Sequence, residues 1–167
     1  MKGMTITYEI GNSLYLNITN RCSNRCDFCI RQNGDGAYGS NSLWLEREPT
    51  EEEILAAVEA RDVTKYDEVI FCGYGEPTER LDTLLHVAKA LKAKYGCKIR
   101  VNTNGQSDLI CGRDTSSLFA GVVDTLSISL NAPNAAEYQR VCHSRYGEEA
   151  YAAILAFASH VRHYVPH

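Results

Sequence analysis

Three cysteines stand close together in Arg21-Cys22-Ser23-Asn24-Arg25-Cys26-Asp27-Phe28-Cys29, at the spacing C-x3-C-x2-C. Thiols this close can wrap one loop around a single inorganic object. A disulfide framework or a tetrahedral zinc site would want a fourth ligand, and zinc favours paired C-x2-C knuckles, of which the chain has no second copy. Three thiolates suit a [4Fe–4S] cube that leaves one iron without a protein ligand, and an open iron is where chemistry can happen. A zinc or ferredoxin-like site completed by a distant fourth ligand is the competing reading. The other cysteines, Cys72, Cys97, Cys111 and Cys142, are scattered singly. They read as small buried apolar residues.

Three further stretches carry polar groups at spacings that could serve one ligand. Gly73-Tyr74-Gly75-Glu76-Pro77 combines backbone that can be approached closely at Gly73 and Gly75 with the carboxylate of Glu76. Together they offer acceptors to an ammonium group. Asn102-Thr103-Asn104-Gly105 puts Thr103 and Asn104 in a polar segment that on its own reads as a turn. Ser127, Ser129 and Asn131 alternate along an apolar run. On a strand their side chains would share one face, and a polar row on a buried face needs partners. Arg21, Arg25 and Arg31 could adjust the charge of a cluster, meet an anionic group, or lie on solvated surface.

These loops need a scaffold. Residues 5–9 and 13–18 are two β-rich runs joined across Gly11-Asn12, a hairpin signal. The second run feeds directly into the cysteines, beyond the C-terminal end of a strand, where α/β sheets and barrels put their sites. From Gln32 to Pro49 the chain is rich in Gly, Ser and Asn, with Tyr38 and Trp44 as large exceptions, and reads as the rest of the cysteine loop and a flap. Thr50 followed by Glu53 forms a capping box for a helix running to about Arg61. Strands follow over 68–72, 97–101 and 124–130. A helix spaced by Leu81, Leu84, Leu85, Ala88 and Leu91 separates the first two, a short helix near 114–120 precedes the last, and helical pattern follows it. Repeated strand–helix units predict an α/β fold with a parallel sheet and right-handed crossovers.

At 167 residues the chain predicts one domain with a real core. A net charge of −4 gives no general electrostatic attraction to nucleic acid or anionic membrane. No apolar stretch approaches the roughly 18 residues that span a bilayer, and Met1 to Ile6 lacks the apolar centre of a secretory signal. A cytoplasmic location is expected.

The cysteine spacing, with Phe28 before its last member, resembles the signature of the radical S-adenosylmethionine (SAM) superfamily. Gly73 to Glu76 is similar to its Gly-Gly-Glu motif, with Tyr74 in place of the first glycine of the pair. The resemblance implies a partial parallel (β/α) barrel. It also implies a [4Fe–4S] cluster on Cys22, Cys26 and Cys29, and SAM chelated to the open iron. Reductive cleavage of SAM would give a 5′-deoxyadenosyl radical that takes hydrogen from an unknown substrate, with electrons from a donor such as flavodoxin or ferredoxin. It further implies SAM contacts from Gly73, Gly75, Glu76, Thr103, Asn104, Ser127, Ser129 and Asn131, with Phe28 near the adenine. The stretches Asn17-Ile18-Thr19-Asn20, Gly73 to Thr78 and Asn102 to Gly105 look most like the TatD-associated members, which implies association with a TatD-like hydrolase. The family core has six strand–helix units, and four are visible here after the leading hairpin. A C-terminally incomplete core is therefore expected, with a missing segment or an oligomer contact at the fourth parallel strand. The alternative function is a non-catalytic iron–sulfur or zinc protein.

Overall fold

Thr50 shows how directly the sequence sets local structure. Its hydroxyl accepts the Glu53 N–H at 3.1 Å while the Glu53 carboxylate accepts the Thr50 N–H at 3.1 Å, so helix α1 (Glu51–Glu59) starts where the capping box predicts. A computed structural model describes residues 3–34, 36–37 and 39–167. Tyr38 of the expected flap and the first two residues of the N-terminal reading lie outside the described residues.

Strands β1 (Thr7–Ile10) and β2 (Ser13–Leu16) form an antiparallel hairpin turned at Gly11, whose φ of 57° is the left-handed conformation that glycine adopts without steric cost. Then β3 (Glu68–Phe71), β4 (Ile99–Thr103) and β5 (Thr125–Ile128) add in parallel, giving the order β1-β2-β3-β4-β5. Between them run α1, α2 (Leu81–Tyr95) and the short α3 (Ser107–Cys111), and after β5 come α4 (Ala135–Cys142) and α5 (Glu149–Val161). The chain therefore has the α/β fold of a partial barrel: four parallel strands, β2 to β5, the first of them also the second strand of the leading hairpin.

One sheet face builds the core. Leu14, Leu16, Val69, Phe71, Ile99 and Val101 are fully buried against Ile54, Val58, Leu84, Val87, Ala88 and Leu91 of α1 and α2. Asp124 locks three elements at the far end: its Oδ2 accepts from Lys92 Nζ at the end of α2 at 2.6 Å and from the Ile99 N–H opening β4 at 2.8 Å.

Several expected boundaries shift. The helix expected at 114–120 is a 3-10 turn at Ser116–Phe119, and α3 precedes it. The helical region after β5 is two helices broken at His143, which is left-handed at φ 48°. The strand expected over 124–130 stops at Ile128, and Asn131 has φ 64°, so the alternation does not extend to it. At the β5 edge the chain's own last residue pairs: Leu126 N–H donates to His167 O at 3.0 Å, and His167 N–H donates to Asp124 O at 3.2 Å. Among the described residues no helix is long and apolar enough to cross a membrane.

Candidate active site

The cysteine loop leaves β2 through Asn17, Ile18 and Thr19, all buried. Asn17 Nδ2 donates to Thr5 O and Leu43 O at 3.0 and 2.9 Å, clamping the loop between the N-terminal segment and the stretch before Pro49. The two glycines after β3 are fixed by this packing. A Cβ on Gly73 would meet Asn17 Oδ1 at 2.1 Å, and one on Gly75 would meet the carbonyl oxygens of Thr19 at 2.2 Å and Arg21 at 2.6 Å. The Glu76 N–H donates to Arg21 O at 2.7 Å. The glycines therefore let the exit of β3 lie directly on the backbone that opens the cysteine loop.

Glu76 is the junction of the strand-end loops. Its buried carboxylate accepts from Thr103 Oγ1 at 2.5 Å, Thr78 Oγ1 at 2.7 Å, Thr78 N at 3.2 Å and Asn104 N at 2.7 Å. Burial raises its pKa, and these four donors oppose that shift without cancelling it. Asn104 extends the connection, its Nδ2 donating to Ser23 Oγ at 2.9 Å and lying 3.9 Å from Cys22 Sγ. The Asn24 N–H also points to Cys22 Sγ, at 3.5 Å. Cys22 therefore sits among N–H donors, which favour a thiolate, although burial holds its pKa up at about 11.

A second network, absent from the sequence reading, fastens the other side of the loop. Gln106 is fully buried. Its Oε1 accepts from Ser23 Oγ at 2.8 Å and Ser144 Oγ at 3.0 Å, and its Nε2 donates to Asn24 Oδ1 at 2.8 Å and Tyr138 OH at 2.9 Å. Asn24 Nδ2 donates to the same tyrosine oxygen at 2.8 Å. Arg25 N–H and Asp27 N–H donate to the carbonyls of Cys142 and Val141 at the end of α4. A buried polar cluster this complete specifies one arrangement. Its sequence signal was thin: Ser23 and Asn24 lie inside the cysteine motif, and Gln106 follows Asn104-Gly105.

Described residues between Gln32 and Pro49 are also tied down. Leu43 and Leu45 are buried, Asn20 exchanges hydrogen bonds with Leu45, and Tyr74 OH donates to the carbonyls of Gly34 and Gly36. Arg31 reaches the carbonyls of Asn20, Asn24 and Tyr74 and lies over Trp44 at 5.8 Å, while Arg21 is exposed and pairs with Glu48 at 2.6 Å.

Not every residue named from sequence converges. Thr103, Asn104, Glu76, Gly75 and Cys22 form one contact chain. Phe28 is 56 % exposed and Ser129 is exposed, while Ser127 is half-buried beside Asn102 in the register. Asn131 Nδ2 lies 3.9 Å from Cys142 Sγ. Cys26 also turns to Cys142, packing in the cluster of Tyr138, Ala150 and Ile154. Burial first, then the neighbouring Cys142 thiol, push its pKa up to about 12. Cys142 is thus buried as expected but lies beside the motif, whereas Cys111 is exposed.

Among the described residues no three His, Cys, Asp or Glu side chains stand together as a metal group. The donor chemistry still fits a cluster. Cys22, Cys26 and Cys29 are free thiols of one half-buried loop, and Cys22 has N–H donors aimed at its sulfur.

The sequence model of the Radical SAM superfamily matches residues 16–165, from the end of β2 to beyond α5. The chain is also 27 % identical, over 139 residues, to the probable dual-specificity RNA methyltransferase RlmN of Caldanaerobacter subterraneus subsp. tengcongensis. That match covers 80 % of this chain and 37 % of the relative, so the chain spans little more than a third of the relative's length.

Proposed function

Because the chain belongs to the radical SAM superfamily, we propose that it is a SAM-dependent radical enzyme whose cluster is held by Cys22, Cys26 and Cys29. The observation that carries the reading is the contact chain Gly75–Glu76–Asn104–Cys22, which ties the cysteine loop to the exits of two further strands. The chemistry that a reduced [4Fe–4S] cluster and SAM supply when bound is one-electron cleavage of a sulfonium carbon–sulfur bond, giving methionine and a 5′-deoxyadenosyl radical able to take hydrogen from an unreactive carbon.

The chain's own residues have separate tasks in this reading. The three cysteines would hold iron. Asn24 and Asn104 donate toward the Cys22 sulfur, an interaction that adjusts a cluster's potential. Gly73 and Gly75 keep the backbone at the site's edge free of side chains. Glu76 holds Thr103 and Asn104 in place through the hydrogen bonds its two oxygens accept from them. Ser127, Ser129 and Asn131 offer polar atoms to the ribose and carboxylate of SAM, and the exposed Phe28 offers a face to its adenine. Trp44 packs edge-on against Tyr74 on the flank of the loop.

The stretches Asn17 to Asn20, Gly73 to Thr78 and Asn102 to Gly105 support the narrower proposal that the chain is a TatD-associated member, tested by co-purification with a TatD-like hydrolase. One observation favours a second substrate reading, methyl transfer to RNA: the identity with RlmN. Transfer of a labelled SAM methyl group to total RNA tests it. The non-catalytic iron–sulfur or zinc alternative is not favoured. Metal analysis after anaerobic reconstitution tests the cofactor directly: about four irons and four sulfides per chain are expected, Cys26→Ala should lose them, and one zinc per chain with no iron would overturn the reading.

A further inference from the structure

The two faces of the sheet differ in chemistry. The face under α1 and α2 presents Leu14, Leu16, Val69, Phe71, Ile99 and Val101, whereas the register aligns Tyr8, Tyr15, Ile70 and Arg100 across the other face, with Asn102 beside Ser127 above them. A cavity of about 330 Å³ opens there. Tyr8, Tyr15 and Tyr74 line it with aromatic rings, Cys72 and Asn102 line it as well, and Ile30, the residue after Cys29, stands at it.

The walls are fixed. Tyr8 and Tyr15 stack with centroids 5.1 Å apart, and Tyr8 OH donates to Cys72 O at 2.8 Å. Trp44 packs edge-on against Tyr74 at 5.0 Å. Arg100 Nε donates to Asn102 Oδ1 at 2.9 Å, which fixes the orientation of that amide. Rigid aromatic walls favour a flat π-system over a flexible aliphatic chain. A fixed amide beside a thiol rewards ring-edge donors and acceptors. The volume is at the small end of the roughly 300–1,000 Å³ of ligand pockets, enough for one or two fused rings.

We propose that this cavity is the substrate pocket and that it takes a small planar heteroaromatic ring with hydrogen-bonding edge atoms. The word substrate rests on the radical SAM reading; the binding of the ring does not need the cluster. Ligand-observed NMR titration of the reconstituted protein with hypoxanthine and nicotinamide, against cyclohexanecarboxamide as the non-planar control, tests it. The ring probes should bind at least about tenfold more tightly than the control, and Asn102→Ala should weaken them by about tenfold. Ile30→Trp, at a 39 % exposed position where the fold tolerates bulk, should block the ring probes without lowering the melting temperature. Equal binding of planar and non-planar probes, or binding unaltered in both variants, overturns the proposal. One-for-one displacement of the probes by SAM would assign the pocket to SAM's own adenine and overturns it as well. Iron content and 5′-deoxyadenosine release are read on the same batches. Ring binding by protein that forms no cluster overturns the radical SAM reading and supports the pocket as a ring site. Cluster formation and SAM cleavage without ring binding overturn the pocket alone.

Discussion

Gly75 and Glu76 carry the most consequence per atom. Gly75→Ala would drive a Cβ into two backbone carbonyls, neither of which can move without shifting the cysteine loop. A loss of about 1–3 kcal/mol is expected, read by urea unfolding of the metal-free protein, together with reduced iron uptake on reconstitution. Glu76→Gln sets the Asn104 N–H against an amide in place of an oxygen and should cost about 1–3 kcal/mol. Its pH dependence has a definite sign. The folded-state pKa of Glu76 is raised from 4.5, so its contribution is fully present below that value and is lost as pH rises through the folded pKa. The stability gap between wild type and Glu76→Gln should therefore narrow from pH 4.5 upward, and a widening gap would contradict the buried junction. The sequence made both residues visible as a motif with an affinity for ligand. It could not show that Gly75 faces Thr19 and Arg21, because that contact exists only once β2 and β3 pair.

At the scale of elements, the capping box and the apolar spacing of α2 were readable because each is set by neighbours a few residues apart. Thr50→Ala should destabilise the fold by about 1 kcal/mol through α1, measured as a shift in the urea midpoint with unchanged slope. The missed elements have physical reasons. The five-residue α3 is too short for periodicity, and β5 ends at Ile128, opposite Thr103, where its partner β4 ends. The Gln106 network escaped notice because its members come from the cysteine loop, the β4 exit, α4 and the turn after it, and no local pattern links them. Gln106→Leu removes acceptors for Ser23 and Ser144 and donors to Asn24 and Tyr138. Faster hydrogen exchange at the Arg25 and Asp27 amides is expected, with the β3 amides unchanged. Equal protection of both sets would show that the network does not anchor the loop.

For the whole molecule, the fold class was legible because strand–helix alternation is a global pattern written locally, and each strand exit carried a polar or glycine-rich loop. The sheet's second face was not legible, since Tyr8, Tyr15, Cys72 and Asn102 become neighbours only through register. The assembled molecule has an apolar face sealed by helices, a face with an aromatic cavity, and one edge where the cysteine loop, Glu76 and Asn104 meet. In the proposed function a radical would be generated at that edge and used on a ring held in the cavity. The most direct test is reductive SAM cleavage by anaerobically reconstituted protein. With dithionite as reductant, release of 5′-deoxyadenosine and methionine in equal amounts is predicted, and Cys26→Ala should release neither. Protein that holds a full cluster and binds SAM yet releases no 5′-deoxyadenosine would contradict the account.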